Sequence, residues 1–154
     1  MKQMNRKALM LIIVLAVFSC SKSPEEKAML MLEKARAAFE QGDLQTARAD
    51  IDSLRKNYPT VIEARKGALK LHQDIELKAA QDELAETDSL LILANRELEA
   101  LQQQVDSHKA AMKATAAELT QLTRTRMHRD SIRTQYEVQG AKIRFIRQKQ
   151  KEII

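Results

Sequence analysis

Leu77, Leu84, Leu91, Leu98, Val105, Met112 and Leu119 recur every seven residues without interruption. A strict seven-residue apolar repeat marks a helix that buries one stripe against another helix. The companion positions, three residues on, are Ala80, Thr87, Ala94, Leu101, His108, Thr115 and Leu122. They are small or mixed, so the seam is strong on one side. Between Pro59 and Gly140 the only glycine is Gly67, and there is no proline. The pattern predicts a coiled coil over 77–125. A single helix over 61–139 would run about 120 Å. The flanking pairs Glu83 with Asp88 and Gln104 with Lys109 lack an attractive pattern, which argues against a tight parallel dimer. An intramolecular hairpin or a loose homo-oligomer remains open. Val105-Asp106-Ser107-His108 is the weakest helical point and the expected turn if the helix folds back.

Upstream the apolar positions fall into shorter helical runs over 24–76. Ser23-Pro24-Glu25-Glu26 is a helix start: Ser23 caps, Pro24 suits the first helical position and Glu26 completes a capping box. Met29, Leu32, Ala35, Ala38 and Phe39 line one face of a helix to about Gln41. Gly42 ends it and Asp43 caps the next helix. That helix carries Leu44, Ala47, Ile51 and Leu54 on one face and stops before Tyr58-Pro59. Thr60-Val61-Ile62-Glu63 reads as a further capping box opening a third helix.

This stretch resembles a tetratricopeptide repeat over about residues 28–62. The matching residues are Ala35, Gly42, Leu44, Ala47, Ile51, Leu54 and Pro59. The phrases Phe39-Glu40-Gln41-Gly42-Asp43-Leu44 and Asn57-Tyr58-Pro59 resemble the repeats of outer-membrane assembly lipoproteins. The resemblance implies two closely packed antiparallel helices and a protein-binding surface. Two positions depart from it: Met31 stands where the family has an aromatic, and Glu76 where a second repeat has Gly. The expected architecture is therefore all-α, a TPR-like helical hairpin followed by a long coiled-coil helix.

The first twenty residues read as a targeting segment. Lys2, Arg6 and Lys7 precede the uncharged apolar run Ala8–Phe18. Eleven residues suit a signal-peptide core, since a spanning helix needs about 20. Val17-Phe18-Ser19-Cys20 closes the run and resembles the bacterial lipobox. That family acylates the Cys, which becomes the mature N-terminus. The resemblance implies a signal peptide over 1–19, a lipidated N-terminus and short linker over 20–23, and a membrane anchor through acylated Cys20. Ser21 in place of Asp favours the outer membrane, so the expected location is the cell envelope.

The charge is uneven. Residues 21–123 hold 14 Lys+Arg and 18 Asp+Glu, whereas 124–154 hold nine and three. The segment 126–154 reads as a basic amphipathic end, with Ile132, Tyr136, Ile143 and Ile146 on one face. A basic tail raises nucleic acid as a partner, but the compartment and the lack of interleaved aromatics argue against it. Anionic lipid, cell wall or an acidic protein fits better.

No catalytic signature is present. His72, His108 and His128 lie too far apart for a helical metal-binding pair. One cysteine cannot form an internal disulfide or a cysteine-based zinc site. Met29, Met31, Met112 and Met127 at helical spacing read as packing. The expectation is a non-enzyme with no cofactor, metal or small-molecule substrate. Its expected role is a lipid-anchored scaffold working through an unidentified protein partner or self-association. The alternatives are an accessory factor in envelope assembly or transport, and a cell-wall or anionic-lipid-binding module using the basic tail.

Overall fold

Ser23 starts the first helix as its residue type dictates. Its hydroxyl accepts from the Glu26 amide at 3.1 Å, and its own amide donates to the Glu26 carboxylate at 3.1 Å. In the computed structural model, which describes residues 22–152, this opens α1 (Pro24–Glu40). It is followed by α2 (Leu44–Asn57), α3 (Ile62–Ala110) and α4 (Ala116–Glu152). The described residues are all-α, with no strand. Two compact units divide after Leu71, and α3 begins in the first and continues into the second. Cys20, expected from the sequence to be lipidated, and the expected signal peptide over 1–19 lie outside the described residues.

The first unit closes α1 onto α2 through a tight turn. Gly42 takes φ +81°, a left-handed conformation that glycine adopts without steric cost. Its amide donates to the Phe39 carbonyl and that of Asp43 to the Ala38 carbonyl, each at 2.9 Å. This double bond pattern satisfies the last carbonyls of α1. Asp43 then caps α2, accepting from the Thr46 amide at 3.0 Å. The Thr46 hydroxyl and amide hold the Asp43 carboxyl below its ordinary range. At the far end Tyr58 caps α2 and Pro59 follows in the connection. The third helix starts at Ile62, one residue later than Thr60 as a cap would place it.

The core of this unit is built from small residues with a few large anchors. Ala28, Leu32, Ala35 and Ala38 are buried on α1, Ala47, Ile51 and Leu54 on α2, and Ala64, Ala68 and Leu71 on α3. The α1 stripe therefore passes through Ala28, while Met29, expected inside, is exposed. Leu32, Ile51 and Leu54 are each worth about 1.5–3 kcal/mol of burial. A Cβ at Gly67 would stand 2.5 Å from Leu32 Cδ2, so glycine is what lets α3 meet that side chain. Lys34 pairs with Asp50 across α1 and α2 at 2.9 Å.

The second unit is an antiparallel helical hairpin, residues 72–110 of α3 against α4. Cross-helix bonds fix its register: His108 to Glu118, Arg126 to Gln102, Arg129 to Asn95, Lys142 to Glu76 and Gln150 to Asp74. The two numbers of each pair add to between 218 and 228, so one offset holds along the whole hairpin. The long helix thus folds back, and it does so after Ala110 rather than at Val105–His108. Val105 is fully buried there.

Candidate interaction surfaces

The hairpin seam comes from both seven-residue series on α3. Ala80, Thr87, Ala94 and Val105 are buried, and Leu77, Leu84, Leu91, Leu98, Leu101 and His108 are half-buried. The small companions sit deepest and the leucines flank them. On α4 the inward positions are Glu118, Leu122, Thr125, Arg129, Ile132, Tyr136, Gln139, Ile143, Ile146 and Gln150. They alternate steps of four and three, the spacing of a helix presenting one stripe to its neighbour. Several are polar. Thr87 satisfies its hydroxyl on the Glu83 and Leu84 carbonyls, at 2.7 and 3.1 Å. The Gln139 side-chain oxygen is buried without a hydrogen bond.

Two of the expected seam residues lie elsewhere. Met112 is 96% exposed, because it occupies the connection between α3 and α4. Leu119 is exposed on α4, since the connection shifts the phase and Glu118 and Leu122 point inward instead. Met112 takes φ +56°. Its amide donates to the Lys109 carbonyl at 2.9 Å, and that of Lys113 to the His108 carbonyl at 2.7 Å. This is the bond pattern that Gly42 makes, built on a non-glycine residue.

Thr115 then opens α4 with a capping box that the sequence reading missed. The Thr115 amide donates to Glu118 Oε2 at 2.8 Å, and the Glu118 amide donates to Thr115 Oγ1 at 3.2 Å. The other Glu118 oxygen meets His108 Nδ1 at 2.6 Å, joining the two helices across the turn. The Thr115 amide, then His108 and the Thr115 hydroxyl, hold the Glu118 carboxyl below its ordinary range.

Of the repeat-like residues, Ala35, Ala47, Ile51 and Leu54 are buried together in the first unit. Leu44 is half-buried, and Gly42 and Pro59 are exposed at the two ends of α2. The open groove beside α3, ≈ 260 Å³ and lined by Arg55, Ile62, Arg65, Lys66 and Leu69, is shallow and basic. Among the described residues no three His, Cys, Asp or Glu side chains converge as a metal site, and no helix is long and apolar enough to cross a membrane.

The outside of the hairpin carries apolar side chains that the seam does not use. On α3 these are Leu90, Ile92 and Leu93, and on α4 Leu119, Met127, Val138 and Phe145. Met127, Val138 and Phe145 lie within about 20° on the helical wheel, well away from Ile132, Ile143 and Ile146. With Tyr136, these three isoleucines make up the apolar face of the amphipathic end read from the sequence. The isoleucines are buried, so that face belongs to the hairpin core. No protein-family model, curated protein or solved structure matches the chain.

Proposed function

We propose that the chain is a lipid-anchored lipoprotein of the cell envelope that acts as a helical scaffold, binding protein through the surface of its hairpin. The anchor reading rests on Val17-Phe18-Ser19-Cys20 at the end of the apolar run. Cys20 precedes the Ser23 cap by three residues, so folded structure begins almost at the anchor. Several acyl chains on one residue hold a protein stably in a membrane, where one chain is marginal.

The observation that carries the scaffold reading is the exposed apolar set at the middle of α3. Leu93 is 59% exposed, and Leu90, one turn before it on the same face, is exposed with it. Large apolar side chains clustered on an exterior and flanked by charge are the mark of a protein-binding surface. The role needs no reacting group. It needs a rigid helix pair held at a membrane.

Two measurements test it. Mass spectrometry of the mature N-terminus is expected to show a lipid-modified Cys20, and Cys20→Ala to release the chain from the membrane fraction. Crosslinking from Leu93 in intact cells is expected to capture a protein. An unmodified cysteine refutes the anchor, and the absence of any protein adduct refutes the scaffold.

A further inference from the structure

The hairpin is divided by charge. Residues 72–110 hold nine Asp+Glu and three Lys+Arg, whereas α4 holds nine Lys+Arg and four Asp+Glu. Part of this imbalance is used inside the chain, as in Lys142–Glu76 at 3.0 Å. Much of it is not. Glu83, Glu86, Asp88, Glu97 and Glu99 on α3 make no ion pair among the described residues. Neither do Arg124, Arg144, Arg147 and Lys151 on α4. Each helix also carries an exposed apolar cluster amid this charge. Leu90 and Leu93 sit between Glu86 and Glu97. Met127, 67% exposed, and Phe145, 60% exposed, share a face with Val138.

We propose that these outer faces are complementary halves of one interface, and that it joins two copies of this chain side by side, α3 of one against α4 of the other. The chemistry matches within a single molecule: acidic and apolar on α3, basic and apolar on α4. A two-fold axis parallel to the helices uses both halves twice. That axis keeps each α3–α4′ contact antiparallel, the same polarity as the contact within the chain. It also preserves the register, in which facing residue numbers add to about 224. Leu93 of one copy then stands level with Ser131 of the other, within about one turn of Met127. Glu97 then stands within about one turn of Arg124. The same axis points both hairpins in one direction, as two chains anchored in one membrane require. Only that last point rests on the lipid anchor of the proposed function. The contact itself does not.

The test uses the full chain purified in a non-ionic detergent, with its protein mass read by light scattering at low micromolar concentration in low and high salt. The expected result is the mass of two chains at low salt. High salt, and the exposed-site variant Leu93→Asp, are each expected to weaken association at least about tenfold, with helicity by circular dichroism unchanged. Glu97→Arg and Arg124→Glu are each expected to weaken it, and the two together to restore it. In cells, differently tagged copies bearing Leu93→Cys and Ser131→Cys are expected to form a disulfide-linked pair that neither variant forms alone. A one-chain mass at low salt overturns the proposal whether or not Cys20 is acylated. So does a one-chain mass with salt-sensitive, Phe145-dependent binding to phosphatidylglycerol vesicles, which assigns the basic face to lipid. A two-chain mass with an unmodified Cys20 leaves the dimer standing and refutes the anchor alone.

Discussion

The two units spend the same apolar alphabet differently. In residues 22–71 three helical segments surround one core, and Leu32, Ile51 and Leu54 are almost wholly enclosed. In 72–152 two helices share one seam, and Leu77, Leu84, Leu91 and Leu98 each keep part of their surface outside. Two cylinders touch along a line, so a hairpin has no third element to cover the flanks of its stripe. Small residues partly compensate, because Ala80, Thr87 and Ala94 occupy the deepest places and the leucines close over them from the side. The lesson is that a seven-residue leucine pattern measures which face is used, and the number of helices around it decides how dry that face becomes.

The sharpest way to break this contrast is Ala47→Glu. Ala47 is completely buried, and a carboxylate there has no partner. The expected loss exceeds about 3 kcal/mol, enough to unfold a small unit. Hydrogen exchange of the chain lacking its first 20 residues should show protection lost over 22–71. Retained protection there would mean that the first unit is as open as the second.

Next in size is Leu91→Asp with Leu98→Asp. Both side chains are half-buried, so about half of the usual 1.5–3 kcal/mol per leucine is at stake at each, plus the cost of the charges. A drop of about 2–4 kcal/mol in the unfolding free energy of the second unit is expected by denaturant titration followed by circular dichroism. An unchanged midpoint would show that the seam adds nothing.

A smaller effect, of opposite sign, is expected at the hairpin turn. Met112→Gly removes the cost of a left-handed residue at a place where the side chain touches nothing. It should raise stability by about 0.5–1 kcal/mol. A fall would mean that Met112 is held by more than its backbone.

The smallest is Glu118→Gln. The folded protein holds Glu118 below its ordinary pKa, so its contribution is present above the ordinary glutamate value of 4.5 and is lost as pH falls through the lowered one. Melting temperature followed down through that window should fall for the wild type and fall less for Glu118→Gln. Parallel curves would sink the role of the clamp.

The same turn explains what the amino-acid sequence discloses and what it hides. Gly42 and Met112 close the same arrangement of backbone bonds. The first is plain in the sequence because glycine advertises a left-handed position, and Ser23, Asp43 and Pro59 bracket its helices. The second is invisible by that rule, and Met112 also falls in phase with the leucine series, so the seven-residue pattern runs unbroken across the bend. The available signal was Thr115-Ala116-Ala117-Glu118, a capping-box spacing in mid-pattern. The inward stripe of α4 was hidden for another reason. Arg129, Gln139 and Gln150 occupy seam positions, so an apolar count finds the isoleucines but not the continuous face they share. The outer clusters at Leu93 and Phe145 become visible only once the seam has claimed its own residues.

The exposed thioether at the hairpin tip supplies a chemical reference for the rest of the molecule. Met112 stands in solvent beyond both helices, so mild peroxide should convert it to the sulfoxide early and at a rate set by water access alone. Met127, on the outer face of α4, is the next most open methionine described. In a solitary chain the two should oxidise at comparable rates. Where the α4 face is covered, Met127 should fall behind while Met112 keeps its pace. The ratio of two sulfoxides in one digest would then report occupancy of that face inside the cell, with no label attached.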